Sequence, residues 1–168
     1  SGSLNGQKIL LNATDAAGVF NTIINNDGVI AASRIDNTGG VVRLLGNGPG
    51  QITLSENSAI SADRDVTVRS DGGSIENAGS ISGTNYIELT TAANGGDINL
   101  TETSNLNSDS TVIVDSDGSL ASKGSISGQD LVALLAKDDI QNYGPIDSNN
   151  DPFVEAGGTV ELDSDGDG

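Results

Sequence analysis

Asn77-Ala78-Gly79-Ser80-Ile81-Ser82-Gly83 returns later in the chain as Ser122-Lys123-Gly124-Ser125-Ile126-Ser127-Gly128. Asn26-Asp27-Gly28-Val29-Ile30 precedes this pair, and Asn142-Tyr143-Gly144-Pro145-Ile146 follows it. The shared form is a small polar residue, a variable one, glycine, another variable one, and then an aliphatic anchor. Ser58-Ala59-Ile60 and Ser104-Asn105-Leu106 repeat it with serine at the glycine position. With Leu4, the anchors are Ile30, Ile60, Ile81, Leu106, Ile126 and Ile146, at spacings of 26, 30, 21, 25, 20 and 20 residues. A period of that size marks stacked supersecondary units, none of which buries a core alone.

The second recurrent feature predicts what each unit is made of. Val66/Val68, Ile87/Leu89, Val112/Val114 and Val132/Leu134 alternate with polar residues at period two, and they recur at 21, 25 and 20 residues. Such alternation belongs to strands with one buried face. Further strands are expected at Lys8–Ala13, Val19–Ile24, Val41–Leu45 and Gln51–Leu54, the last two parted by the turn residues Gly46-Asn47-Gly48-Pro49-Gly50. Asp130–Lys137 is rich in helix formers, but its register against Ile87 and Val112 predicts a strand. A hairpin meander carries no such long-range similarity, and propeller blades need about 40 residues and aromatic signatures. Only four aromatic residues occur, Phe20, Tyr86, Tyr143 and Phe153.

The expected fold is therefore all-β: a parallel β-helix, or β-solenoid, with rungs of 20–30 residues and about three short strands per turn. About seven turns at ~4.8 Å make a rod of roughly 35 Å. The anchors should form one interior aliphatic column. Gly28, Gly79, Gly124 and Gly144 are expected to supply φ > 0 at an abrupt corner. Asn26, Asn77 and Asn142 are expected to align there, their amides bonding along the axis. Two rung styles interrupt that column, because Ile52–Ile60 matches Ile98–Leu106 and differs from the glycine-turn rungs. The reading gives one segment over residues 1–168, with irregular rungs in 1–62 and more regular ones in 63–168. Residues 12–22 and 31–50 are expected to be insertions on one flank.

Composition narrows the function. The chain has 168 residues, no Cys, no His, no Met and no Trp, with Gly at 23 positions and net charge −17. That charge repels nucleic acid and anionic lipid, so neither is an expected partner. No apolar run approaches the ~18 residues of a membrane span, so insertion is not expected. The lack of an initiating Met suggests an excised or mature fragment. Ser–His and Cys–His nucleophiles are excluded by composition. Polysaccharide-cleaving β-helix enzymes use clustered carboxylates, and those clefts want aromatic platforms that this chain lacks. Asp138-Asp139 reads as a solvated turn, and the chain is not expected to be an enzyme.

The sharpest chemical motif is Asp163-Ser164-Asp165-Gly166-Asp167-Gly168. D-x-D-x-D-G opens calcium loops, so Asp163, Asp165 and Asp167 are candidate ligands for Ca²⁺, the one cofactor the sequence suggests. A plainer account competes with it. Thr111–Gly118 parallels Thr159–Gly166, and Val66–Gly72 is a third copy, which makes Ser-Asp-Gly the ordinary turn after this strand. Gly95-Gly96-Asp97-Ile98 resembles half of a calcium β-roll repeat and reads as a turn.

Ala13-Thr14-Asp15-Ala16-Ala17-Gly18-Val19-Phe20-Asn21-Thr22-Ile23-Ile24-Asn25-Asn26-Asp27-Gly28-Val29-Ile30 and its continuation Ile35–Gly46 resemble the filamentous-haemagglutinin-like exoproteins of two-partner secretion systems. The resemblance covers roughly residues 8–62. It implies a right-handed parallel β-helix just after a secretion domain and export through an outer-membrane partner. It also implies a secreted or cell-surface location, with a rod-segment role in adhesion or biofilm. The receptor it would serve is not legible. The family's Asn-Pro-Asn-Gly secretion motif is absent. An alternative is a filament subunit stacking end to end through open strand edges, since neither Ser1 nor Gly168 resembles a cap.

Overall fold

The structure, a computed structural model, describes residues 2–14, 22–32, 40–93, 96–150 and 152–163. Among them the chain is wholly strands and turns, arranged in three parallel sheets of seven strands each. Sheet I holds Ser3–Gly6, Val29–Ala32, Ala59–Ala62, Ser80–Gly83, Asn105–Ser108, Ser125–Gly128 and Ile146–Asp147. Sheet II holds Lys8–Thr14, Val41–Asn47, Asp65–Asp71, Tyr86–Ala92, Thr111–Ser116, Leu131–Ala136 and Phe153–Ala156. Sheet III holds Thr22–Asn26, Gln51–Leu54, Ile75–Asn77, Ile98–Leu100, Leu120–Ser122, Ile140–Asn142 and Val160–Leu162. Consecutive strands go to different sheets, and each strand pairs with the third one after it. This is a parallel β-helix, as the period predicts. Six steps of ~4.8 Å give a stack of about 29 Å.

Stacking follows from side-chain alternation. The anchors pair one above another in sheet I: Leu4 with Ile30, Ile30 with Ile60, Ile60 with Ile81, Ile81 with Leu106, Leu106 with Ile126 and Ile126 with Ile146. Sheet II carries Leu11, Leu44, Val68, Leu89, Val114, Leu134 and Val154 in one column. Sheet III carries Ile24, Ile52, Ile75, Ile98, Leu120, Ile140 and Val160. These columns meet in one apolar core. Full burial of each Ile or Leu contributes about 1.5–3 kcal/mol, while the alternate residues face solvent.

Two expectations about the strands need correction. Residues 41–47 are a full strand of sheet II, so the span 31–50 is not one insertion, and 12–14 close the first strand of that sheet. Of the expected insertions, 15–21 and 33–39 lie outside the described residues. Of the expected Val19–Ile24 strand, Thr22, Ile23 and Ile24 lie in the strand Thr22–Asn26, and 19–21 lie outside the described residues. Val160–Leu162 belongs to sheet III, pairing with Ile140–Asn142, whereas Val66 and Val112 belong to sheet II. The likeness of Thr159–Gly166 to Thr111–Gly118 is therefore not a structural repeat. Strands of both sheets share the Val-x-Leu/Val alternation, which hides the difference. Asp130–Lys137 forms the strand Leu131–Ala136, as its register predicts.

Candidate functional site

The residues that recur most strictly come together at the corner between sheets III and I, and what they build there is a hydrogen-bonded, closely packed turn. The corner has two lengths. In the short form, Asn26, Asn77, Ser122 and Asn142 lie four residues before their anchors; in the long form, Leu54 and Leu100 lie six before theirs. The two extra residues bow the long corner outward, which makes room for Ser58 and Ser104 to turn inward. Both are 2% exposed.

Asn26 and Asn77 each lock their own turn and the next rung. Asn77 Oδ1 accepts from Gly79 N at 3.2 Å, while its Nδ2 donates to Gly79 O at 3.3 Å and to Ser104 Oγ at 2.7 Å. Asn26 repeats the set with Gly28 and with Ser58 Oγ at 2.9 Å. This replaces the expected amide ladder. Asn26, Leu54, Asn77, Leu100, Ser122 and Asn142 do share one column, but the two asparagines that precede long corners are separated by leucines. Each reaches a serine hydroxyl instead of another amide. The signal was present in the sequence as the Leu-[Ser/Thr]-Glu-x-Ser corner that follows an Asn-x-Gly corner. Where a short corner follows a short one, the lock is incomplete: Asn142 Nδ2 bonds Gly144 O at 2.7 Å, but Asn142 Oδ1 and Ser122 Oγ are buried without partners.

The corner glycines serve close approach and not a left-handed backbone. Among the described residues φ is positive at Gly40, Gly48, Gly72 and Ala93, and at none of Gly28, Gly79, Gly124 and Gly144. A Cβ on Gly79 would meet Ser58 O at 2.5 Å and Ser58 Cβ at 2.8 Å, and one on Gly124 would meet Thr101 O at 2.7 Å. The approach is as close over short corners, where a Cβ on Gly28 would meet Gly2 O and one on Gly144 would meet Gly124 O.

Of the candidate calcium ligands, Asp163 alone lies among the described residues. Asp163 begins the turn after Val160–Leu162, its N–H donating to Asn142 O at 2.8 Å, while Asp165 and Asp167 lie outside the described residues. No group of three possible metal ligands occurs among the described residues. Gly96 and Asp97 form a corner before Ile98, with Asp97 Oδ1 accepting from Ser119 N at 2.8 Å. Asp138 and Asp139 are exposed at the matching corner two rungs on, where Asp139 Oδ1 accepts from Thr159 N at 2.7 Å.

Charge is unevenly spread along the axis. Residues 1–69 carry five of the seven basic side chains against six acidic ones, net −1; residues 70–168 carry two against eighteen, net −16. One open groove, about 560 Å³, runs along the corner between sheets II and III beside Asp115, Asp117, Leu135, Lys137 and Glu155. Burial, and then the charge of Asp117, push the Asp115 carboxyl above its usual range. Burial, with Glu88 beside it, raises the Tyr86 phenol to about 12. A hydrogen bond to Glu161 raises Tyr143, and bonds from Ser55 and Asn57 of the next rung hold Asp27 below its usual value. Phe153 lies on the last rung of sheet II, Tyr86 on its fourth and Tyr143 at a sheet III corner, so these rings form no shared platform.

No family model, curated protein or solved structure matches this chain.

Proposed function

We propose that the chain is a structural rod segment of a secreted bacterial surface adhesin, with a mechanical role. The observation that carries this reading is the set of three aliphatic columns running unbroken through all seven rungs. Each rung donates and accepts backbone hydrogen bonds along the axis, so load along the rod is shared by parallel ladders. The resemblance of residues 13–46 to two-partner exoproteins supplies the cell-surface setting and the outer-membrane transporter as partner. No residue is assigned a catalytic role, and the receptor would bind elsewhere on the exoprotein.

Antibody raised against the chain, applied to intact cells of the organism that makes it, tests the proposal. Surface labelling that disappears when the outer-membrane partner is deleted is expected. Labelling only after lysis would overturn the surface role.

A further inference from the structure

The segment Asp130–Lys137 is rich in helix formers yet forms a strand, because its outward positions are as apolar as its inward ones. Leu131, Ala133 and Leu135 alternate with the core residues Val132, Leu134 and Ala136, so they belong to the outer surface of sheet II. Ile113 and Phe153 stand on either side of Ala133 in its column. Five apolar side chains on three rungs thus share one outward patch. Comparable columns of the other walls are short or polar. On sheet I the column reads Ser61, Ser82, Asn107, Ser127 and Asp147. On sheet III it reads Thr53, Glu76, Asn99, Ala121, Gln141 and Glu161. Ile113, Leu131, Ala133 and Leu135 lie on the fifth and sixth rungs, with a described rung on both sides, so the patch does not depend on either terminus.

Carboxylates frame the patch. Glu88 precedes Ile113 in one outward column, and Asp115 and Glu155 flank Leu135 in the next. Leu135 also lines the open groove of about 560 Å³ at the corner toward sheet III. Lys137, the base in that groove, reaches Asp117 Oδ1 at 3.7 Å. Neither Asp115 nor Glu155 has an ion pair among the described residues. We infer that this wall docks a basic amphipathic helix of a partner protein. Its aliphatic side chains would lie on Ile113, Leu131 and Ala133. An Arg or Lys would enter the groove, its stem on Leu135 and its head between Asp115 and Glu155.

Apolar patches with a polar rim mark contact surfaces, and here the sign of the rim selects the visitor. Asp115 and Glu155 are two rungs apart, about 9.6 Å between Cα atoms, a gap that a guanidinium can bridge. Burial and Asp117 hold the Asp115 carboxyl above its usual range, a state that an incoming cation relieves. A docking strand would need an edge, and Thr111–Ser116 and Leu131–Ala136 are each paired on both sides. A helix laid on the face is the remaining mode. One of about 14 residues, ~21 Å long, covers the ~13 Å from Leu131 to Leu135. A second copy of this wall, or an anionic bilayer, would set Asp115 and Glu155 against like charges. The inference does not rest on the cell-surface role, and the test below does not bear on it.

The probe is a fluorescein-labelled helical peptide of about 14 residues, with Leu along one face and Arg flanking it. Its binding to the whole chain is followed by anisotropy at about 0.15 M salt. Leu131→Thr and Leu135→Thr leave the charge unchanged, suit a strand, and are each expected to weaken binding at least about tenfold. Melting curves check that they fold, and Ile113→Thr replaces either one that does not. Asp115→Asn with Glu155→Gln should weaken binding more than Glu102→Gln with Asp147→Asn, an equal change of charge at exposed positions elsewhere. Threonine variants that bind like the parent, or equal losses from the two charge pairs, would show attraction to bulk charge only and overturn the inference. So would a parent chain that sediments as a dimer and becomes monomeric in Leu135→Thr, since a second copy would then cover the wall.

Discussion

The middle rungs and the end rungs are built from the same repeat, yet they are held very differently. Ile81, Leu106 and Ile126 are wholly buried between a rung above and a rung below. Leu4, at the first rung of the same column, has one neighbour and is 43% exposed. The comparison teaches that stability here belongs to pairs of rungs and not to a rung itself, as expected of a quasi-one-dimensional stack. The same side chain should therefore matter by its height in the stack.

The largest expected effect is a charge in the column. Ile81→Asp or Ile126→Asp buries an unpaired carboxylate between two rungs and should cost more than about 4 kcal/mol, abolishing the cooperative urea transition. Leu4→Asp, with solvent at hand, should cost under about 1 kcal/mol in the same measurement. Equal effects at both heights would break the comparison.

Next come the corner glycines. Gly79→Ala forces a methyl against the Ser58 backbone, so a loss of roughly 1–3 kcal/mol or more is expected. Gly6→Ala, where the nearest atom is 3.5 Å away, should change the melting temperature little. A Gly79→Ala protein as stable as the parent would contradict the close approach at this corner.

The asparagine locks sharpen the comparison further. Asn77→Ala strands the buried Ser104 hydroxyl and the Gly79 amide and should cost about 1–3 kcal/mol. Asn142→Ala should cost less, because the Asn142 Oδ1 has no partner to lose. Thermal melts of the two variants side by side give the order.

The smallest effect is a pH slope. The Tyr86 phenol is raised from 10 to about 12 in the folded chain, so the folded state binds the proton more tightly. Its contribution is complete below pH ~10 and is lost as pH rises toward 12. Tyr86→Phe should flatten the decline in stability across that window, as followed by circular dichroism during base titration.

Much of the fold was legible because its strongest signal is local. Period-two alternation at Ile87/Leu89, and one aliphatic anchor per rung, survive any change in corner length. What was not legible depends on contacts between rungs. The serine partners of Asn26 and Asn77 lie 32 and 27 residues away, behind a corner two residues longer than its neighbours. The crowding over Gly79 comes from Ser58 of the preceding rung, so the sequence around Gly79 looks like an ordinary left-handed turn. Val160–Leu162 misleads for a related reason: its alternation fits sheet II as well as sheet III, and only the length of the preceding corner decides. Of the candidate site, the structural residues could be named from the repeat, while the terminal aspartates rested on a motif that continues past the described residues.

Methyl-labelled NMR offers the most direct test of the stacked column. The account predicts methyl–methyl NOEs running stepwise from Ile60 to Ile81 to Leu106 to Ile126, with none inside this column that skips a rung. Strong Hα–Hα contacts of antiparallel pairing, or the absence of any contact between Ile81 and Leu106, would contradict it.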